Sequence, residues 1–190
     1  MLFASIALLV DCCPKCDPPP QFYSPPESPI KWTASVDPKE AGSFGTIDID
    51  FFFDNGRHHS RLPLERAGTL ISADQITSGY VSGILVFTKA GSGGIGHIRF
   101  IEYEEQQHWP VTIPSPTIEQ RTTENGIALW REWIWIENNR LFWRAPVHTK
   151  DDCMAGPTGG ELVFEWVWGD EEPEKGKWIR SNQVIPAFLK

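Results

Sequence analysis

The chain lacks any run of basic residues that could follow a phosphate backbone. Its 17 Lys and Arg residues are scattered along the 190 positions, and 25 Asp and Glu residues outnumber them to give a net charge of −8. A protein of this charge repels a polyanion at long range. We therefore expect no nucleic-acid partner.

Hydrophobic runs long enough to cross a membrane are also missing. The N-terminal apolar stretch, residues 1–10, ends at Asp11, whereas a membrane-spanning helix needs about 20 apolar residues. No Lys or Arg precedes the stretch, and Asp11 stands where an export signal would carry a small residue. We expect no membrane span, with residues 1–10 retained as a packed strand or arm. An export signal, or lipid attachment at Cys12, is the alternative.

Proline, by contrast, is abundant near the N-terminus. Residues 11–29 are Pro-rich and include Pro18, Pro19 and Pro20 in succession. Proline fixes φ and removes a hydrogen-bond donor, so this segment is expected to be extended and to lie against a neighbour. We assign residues 1–29 to an N-terminal arm and residues 30–190 to a separate domain.

Helical periodicity is absent from residues 30–190, apart from short turns of helix that residues 72–78 or 117–123 would allow. Apolar and polar residues alternate instead, with turn residues between the alternating segments. Residues 46–53, for example, place Ile47, Ile49 and Phe51 on one face. About eight to ten such strands predict an all-β antiparallel sandwich or jelly roll.

Motifs for enzyme chemistry are lacking as well. Residues 91–96 match the glycine spacing of a dinucleotide-binding loop, but residues 97–103 alternate as a strand where that motif requires a helix. We predict a hairpin loop there. The carboxylate pair Asp48 and Asp50 falls on one strand face, which is typical of a solvated sheet surface. We predict a protein that is not an enzyme and needs no cofactor.

Metal-binding residues are few. Cys13 and Cys16 have the spacing of two zinc ligands, and His148 with Cys153 would complete a Cys₃His set. The two pairs lie far apart in sequence and Cys12 is left over, so we expect no zinc. The alternatives are reduced thiols or one disulfide from Cys153 to the N-terminal cysteines.

A second metal candidate is the pair His58 and His59, together with Asp54 or Asp48. No further ligand occurs at convincing spacing, so we expect no metal there.

Aromatic residues are plentiful, with nine Trp and eleven Phe. The clearest hairpin spans residues 127–147 and turns at Asn138 and Asn139, because Asn tolerates positive φ. Its predicted register has five pairs, which run from Trp133 with Arg144 to Glu137 with Arg140. Residues directly opposite share a face, so the sequence predicts a core face comprising Ile134, Ile136, Leu141 and Trp143.

The opposite face of this hairpin carries our candidate partner-binding residues, Trp133, Trp135, Phe142 and Arg144. A strip of rings fringed by charge is typical of a contact surface, so we expect a second sheet or a partner chain to cover it. We predict a non-enzymatic structural or assembly protein, such as a phage capsid decoration or connector component of the virion. Its partners would be other structural chains, in a homo-oligomer or larger assembly.

A binding module is the alternative function. It would be exported or lipid-anchored, act outside the cell or at its surface, and stack carbohydrate on Trp133, Trp135 and Trp168.

Overall fold

The computed structural model of the chain describes residues 21–28, 30–40, 44–53, 56–78, 81–90, 94–104, 107–153, 156–169 and 175–182. This described part contains fourteen β-strands and one short helix, and every strand pair is antiparallel. The predicted all-β sandwich is confirmed, but it has more strands than the eight to ten expected. Residues 1–20 of the predicted arm lie outside the described residues.

The strands form three sheets. The first sheet has the order β1-β2-β3-β4, with β1 at Phe22–Tyr23, β2 at Lys31–Val36, β3 at Phe44–Phe53 and β4 at His58–Ala67. The central sheet has the order β5-β6-β7-β8, with β5 at Thr69–Ser78, β6 at Val81–Ala90, β7 at Gly94–Glu104 and β8 at Gln107–Thr112.

The third sheet follows a short helix, α1, at Ile118–Arg121. Its order is β14-β13-β12-β10-β9, and β11 also pairs with β12. The strands are β9 at Thr122–Thr123, β10 at Gly126–Ala128, β11 at Trp133–Glu137, β12 at Arg140–His148, β13 at Glu161–Val167 and β14 at Lys177–Arg180.

The central sheet is buried on both faces. In β6, Ile84 and Val86 join a core shared with the first sheet, whereas Leu85 and Phe87 join a core shared with the third. The unbroken apolar run in residues 83–87 is what a strand covered on both sides requires. The sandwich therefore has three layers and two cores.

A glycine corner carries the chain from the first sheet into the central one. Gly68, between β4 and β5, has φ 90°, and a Cβ there would lie 2.2 Å from the Lys89 carbonyl oxygen. The buried Thr88 hydroxyl donates to the Ala67 carbonyl at 2.6 Å and accepts from the His97 amide at 2.7 Å. These contacts hold the first and central sheets together where the register of β6 against β7 shifts.

The sequence allows short turns of helix at residues 72–78 and at residues 117–123. The prediction is confirmed at Ile118–Arg121, where Thr117 and Gln120 form a capping box. It is wrong at residues 72–78, which belong to β5. Two features of β5 hide the alternation of apolar and polar residues that is typical of a strand. The register shifts after Leu70, and Ala73 and Ile76 are buried in different cores.

The remaining local predictions concern the glycine loop and the base of the arm. β6 and β7 pair antiparallel up to Ala90 and Gly94, as the hairpin interpretation requires. Phe22–Tyr23 pairs with β2, and the Lys31 ammonium donates to the carbonyls of Pro25, Pro26 and Ser28. Residues 21–28, assigned to the arm from sequence, therefore lie along the first sheet.

Candidate functional site

The predicted hairpin is confirmed residue by residue. β11 pairs with β12 from Trp133 with Arg144 to Glu137 with Arg140. Asn138 and Asn139 have φ values of 52° and 58°, the left-handed pair that a two-residue turn of this kind needs.

The inner face of the hairpin is core, as the register predicts. Ile134, Leu141 and Trp143 are buried between the central and third sheets, and Ile136 packs against the same cluster. The Trp143 ring lies 5.6 Å from the Phe164 ring of β13.

The four candidate partner-binding residues on the outer face differ in burial. Trp135 is 5% exposed and stacks on the fully buried Phe142 at 5.1 Å, and both pack with Val163. The Arg140 guanidinium covers Phe142 at 5.1 Å from its ring centre.

The other two candidates are Arg144 and Trp133. Arg144 is buried and pairs with Glu161. Trp133 is 38% exposed, so among the four it alone keeps a large accessible area.

A two-residue bulge precedes Trp133. β10 and β11 both pair with β12, through Ala128 with Val147 and Trp133 with Arg144. Between these two pairs the segment that joins β10 to β11 advances five positions, whereas β12 advances only three. The joining segment therefore contains two extra residues. Trp130 and Arg131 have φ values of 53° and 46°. Left-handed backbone at a non-glycine residue costs roughly 1–2 kcal/mol, so this bulge is strained.

A buried ion pair lies directly beneath the bulge. Glu132 is buried, and its carboxylate accepts a hydrogen bond from Arg121 of α1 at 2.5 Å. The other carboxylate oxygen lies 3.4 Å from both the Trp143 indole nitrogen and the Ile95 amide. Arg121 also donates to the Pro116 carbonyl at 2.7 Å and lies 4.7 Å from the Trp143 ring centre. Strained backbone persists when its surroundings fix it in this way.

We call the group formed by the half-buried Lys89 and the exposed Trp130, Arg131 and Trp133 the bulge surface. Trp130 is 45% exposed, and its ring meets the buried His148 ring edge-on at 5.3 Å. The Lys89 ammonium lies 4.9 Å from the Trp133 ring centre. Tryptophan and arginine are the residues that most often dominate binding energy at protein interfaces.

Sequence reasoning missed Lys89 and Trp130, and it placed Arg131 among the charges around the aromatic strip without assigning it to the site. The available signal was residues 129–133, Leu-Trp-Arg-Glu-Trp, where the alternation of the preceding strand breaks before it resumes at Ile134. An interrupted alternation indicates a bulge, and bulges redirect side chains near functional sites.

The zinc candidates are only partly described. His148 is buried in β12, neither of its ring nitrogens has a hydrogen-bond partner among the described residues, and Cys153 is an exposed free thiol in the loop before β13. Cys13 and Cys16 lie outside the described residues, as does Cys12. Within the described ranges, no three His, Cys, Asp or Glu side chains are grouped to hold a metal ion.

Asp50 on β3 is engaged by its neighbours on β4. It accepts hydrogen bonds from His59 at 2.7 Å and Arg61 at 2.8 Å, and Arg61 also approaches Asp48 at 3.9 Å. Burial alone would raise the pKa of Asp50, but the hydrogen bonds from Arg61 and His59 outweigh it and keep that pKa below its usual value. Asp50 is buried, so the prediction of a solvated carboxylate pair is wrong at this residue, which is held by its ion pair with Arg61 instead. Asp54, the other proposed partner of His58 and His59, lies outside the described residues.

Comparison with known proteins adds no relative. The chain matches no protein-family model, no curated protein and no solved structure at a significant level. Of the helical residues described, none belongs to a helix long and apolar enough to cross a bilayer.

Proposed function

We propose that this protein is a non-enzymatic assembly protein that docks onto another structural chain through the bulge surface. Two observations together carry the proposal. Trp130 and Trp133 are both exposed, and the strained backbone of the bulge is held in place by the buried Arg121–Glu132 ion pair. A surface that is already rigid loses little conformational entropy when a partner covers it.

The energetics of the two rings support docking. Covering one large apolar side chain contributes on the order of 2 kcal/mol. Trp135 and Phe142 already gain this within the chain, because they stack on each other. Trp130 and Trp133 stand outside that cluster and would gain it from a partner.

A virion is the assembly that we propose, with the chain as a capsid decoration or connector component. Support comes from the three-layered all-β body and from the Pro-rich segment, which cannot form a core of its own. Other structural chains of the particle, including further copies of this one in the assembly, are the proposed neighbours.

The geometry gives carbohydrate stacking less support. Trp135 is buried, and Trp168 packs at 4.8 Å on Phe100 of the central sheet. Trp133 has Lys89 over its ring. Sugar stacking needs one open ring face, and these contacts leave less open ring area on the three residues than the carbohydrate interpretation requires.

Replacing Trp133 with Ala should reduce incorporation of the tagged protein into the native particle by about tenfold or more, since interface aromatics commonly carry over 1.4 kcal/mol. The measurement is the amount of tagged chain that sediments with particles from cells expressing each variant. Trp109→Ala is the control, because Trp109 is 43% exposed but lies on β8 of the central sheet. Equal incorporation of the two variants at equal stability would refute the proposal.

A further inference from the structure

We propose that the bulge surface recognises an acidic segment of a different protein, one in which carboxylates alternate with apolar side chains. This inference rests on the proposed function and specifies the chemistry of the docking partner. It is carried by the charges of the bulge surface.

The cations of the bulge surface have no counter-ion in the described part of the chain. Neither Arg131 nor Lys89 forms an ion pair there, although Lys89 lies over the Trp133 ring. The three other arginines named around the hairpin are all paired: Arg121 with Glu132, Arg140 with Glu165 and Arg144 with Glu161. We therefore assign to a partner the two charges, that of Lys89 over the Trp133 ring and that of Arg131, the sequence neighbour of Trp130.

The complementary chemistry follows directly. A carboxylate forms two parallel hydrogen bonds with a planar guanidinium such as that of Arg131. Apolar side chains next to that carboxylate would cover the Trp130 and Trp133 rings, which lie on either side of Arg131 in sequence. Alternation of acidic and apolar residues in the partner would supply both contacts.

The charge of the whole chain argues against a second copy as the occupant. Each copy carries a net charge of −8, so two copies repel each other at long range. A nucleic acid is repelled for the same reason. A short segment with only a few carboxylates meets much weaker repulsion, because the repulsion scales with the product of the two charges.

The test uses the full chain and three short synthetic peptides that share apolar Leu and Phe positions. Between these positions the first peptide carries Asp and Glu, the second Asn and Gln, and the third Lys. Binding is measured by fluorescence anisotropy at low salt. We expect the acidic peptide to bind at least about tenfold more tightly than the amide peptide, and to lose this advantage at high salt.

Charge reversal at the site provides the matched variants. Arg131→Glu should abolish the preference for the acidic peptide and shift it towards the Lys peptide. Arg57→Glu makes the same change in net charge at an exposed residue of the turn before β4, and it should leave the preference intact.

The outcomes separate this inference from the proposed function. Equal binding of the acidic and amide peptides, or no binding of either, would overturn the acidic partner, while loss of incorporation by Trp133→Ala would still support docking. Sedimentation of the chain alone is the second measurement. Self-association that Arg131→Glu abolishes would also overturn the inference, in favour of a second copy.

Discussion

Replacing Trp143 with Ala should lower the free energy of unfolding by about 3–5 kcal/mol. Trp143 is fully buried at the centre of the core between the central and third sheets, where it contacts Phe164. Removing its ring leaves a cavity and also uncovers the guanidinium of Arg121, which lies over that ring. The indole hydrogen bond to Glu132 is lost at the same time.

Urea denaturation, followed by far-ultraviolet circular dichroism, measures this loss. Trp143→Phe separates the two causes, because it keeps most of the ring but removes the indole donor, and it should cost clearly less than Trp143→Ala. Trp109→Ala, at an exposed site, should change stability little. A Trp143→Ala variant as stable as Trp109→Ala would show that the core does not depend on this ring.

Replacing Glu132 with Gln should cost about 3–5 kcal/mol, because it leaves the Arg121 guanidinium buried without a counter-ion. Gln preserves the shape of the side chain and an oxygen that can still accept from Trp143 and Ile95. The expected loss therefore reports the ion pair rather than packing.

A double-mutant cycle checks the second prediction. Adding Arg121→Met to Glu132→Gln removes the uncompensated charge, so the double variant should be more stable than Glu132→Gln alone. Glu124→Gln, at an exposed residue near α1, is the control for a simple change of charge. Additive losses from Arg121→Met and Glu132→Gln would mean that the two residues do not act as a pair.

The hairpin was readable from sequence because its determinants are local. Asn138 and Asn139 fix a two-residue turn, and the turn fixes the register of every pair from Glu137 with Arg140 outwards. The inner face therefore followed from the positions of Ile134 and Trp143 alone.

The central sheet was harder to predict from sequence. Its strands are covered on both sides, so their two faces do not differ in polarity. β6 shows this most clearly, since Ile84 and Leu85 are both fully buried but in different cores. Alternation of polar and apolar residues indicates one buried face, and it gives no signal when both faces are buried.

The candidate site depended on contacts that are distant in sequence. Trp135 and Trp133 look equivalent in the strand pattern, yet Val163 of β13 packs with Trp135, whereas Lys89 of β6 reaches Trp133. The bulge likewise requires Arg121 to meet Glu132. No spacing rule connects these residues before the sheets are assembled.

Oxidative footprinting of the Trp side chains in the native assembly tests the docking claim most directly. Intact particles and the isolated chain are exposed to hydroxyl radicals, and the oxidation of each Trp is measured by mass spectrometry. We predict that Trp130 and Trp133 react in the isolated chain but are protected in the assembly, while the control Trp109 reacts in both samples. Equal oxidation of Trp130 and Trp133 in both samples would contradict docking through the bulge surface.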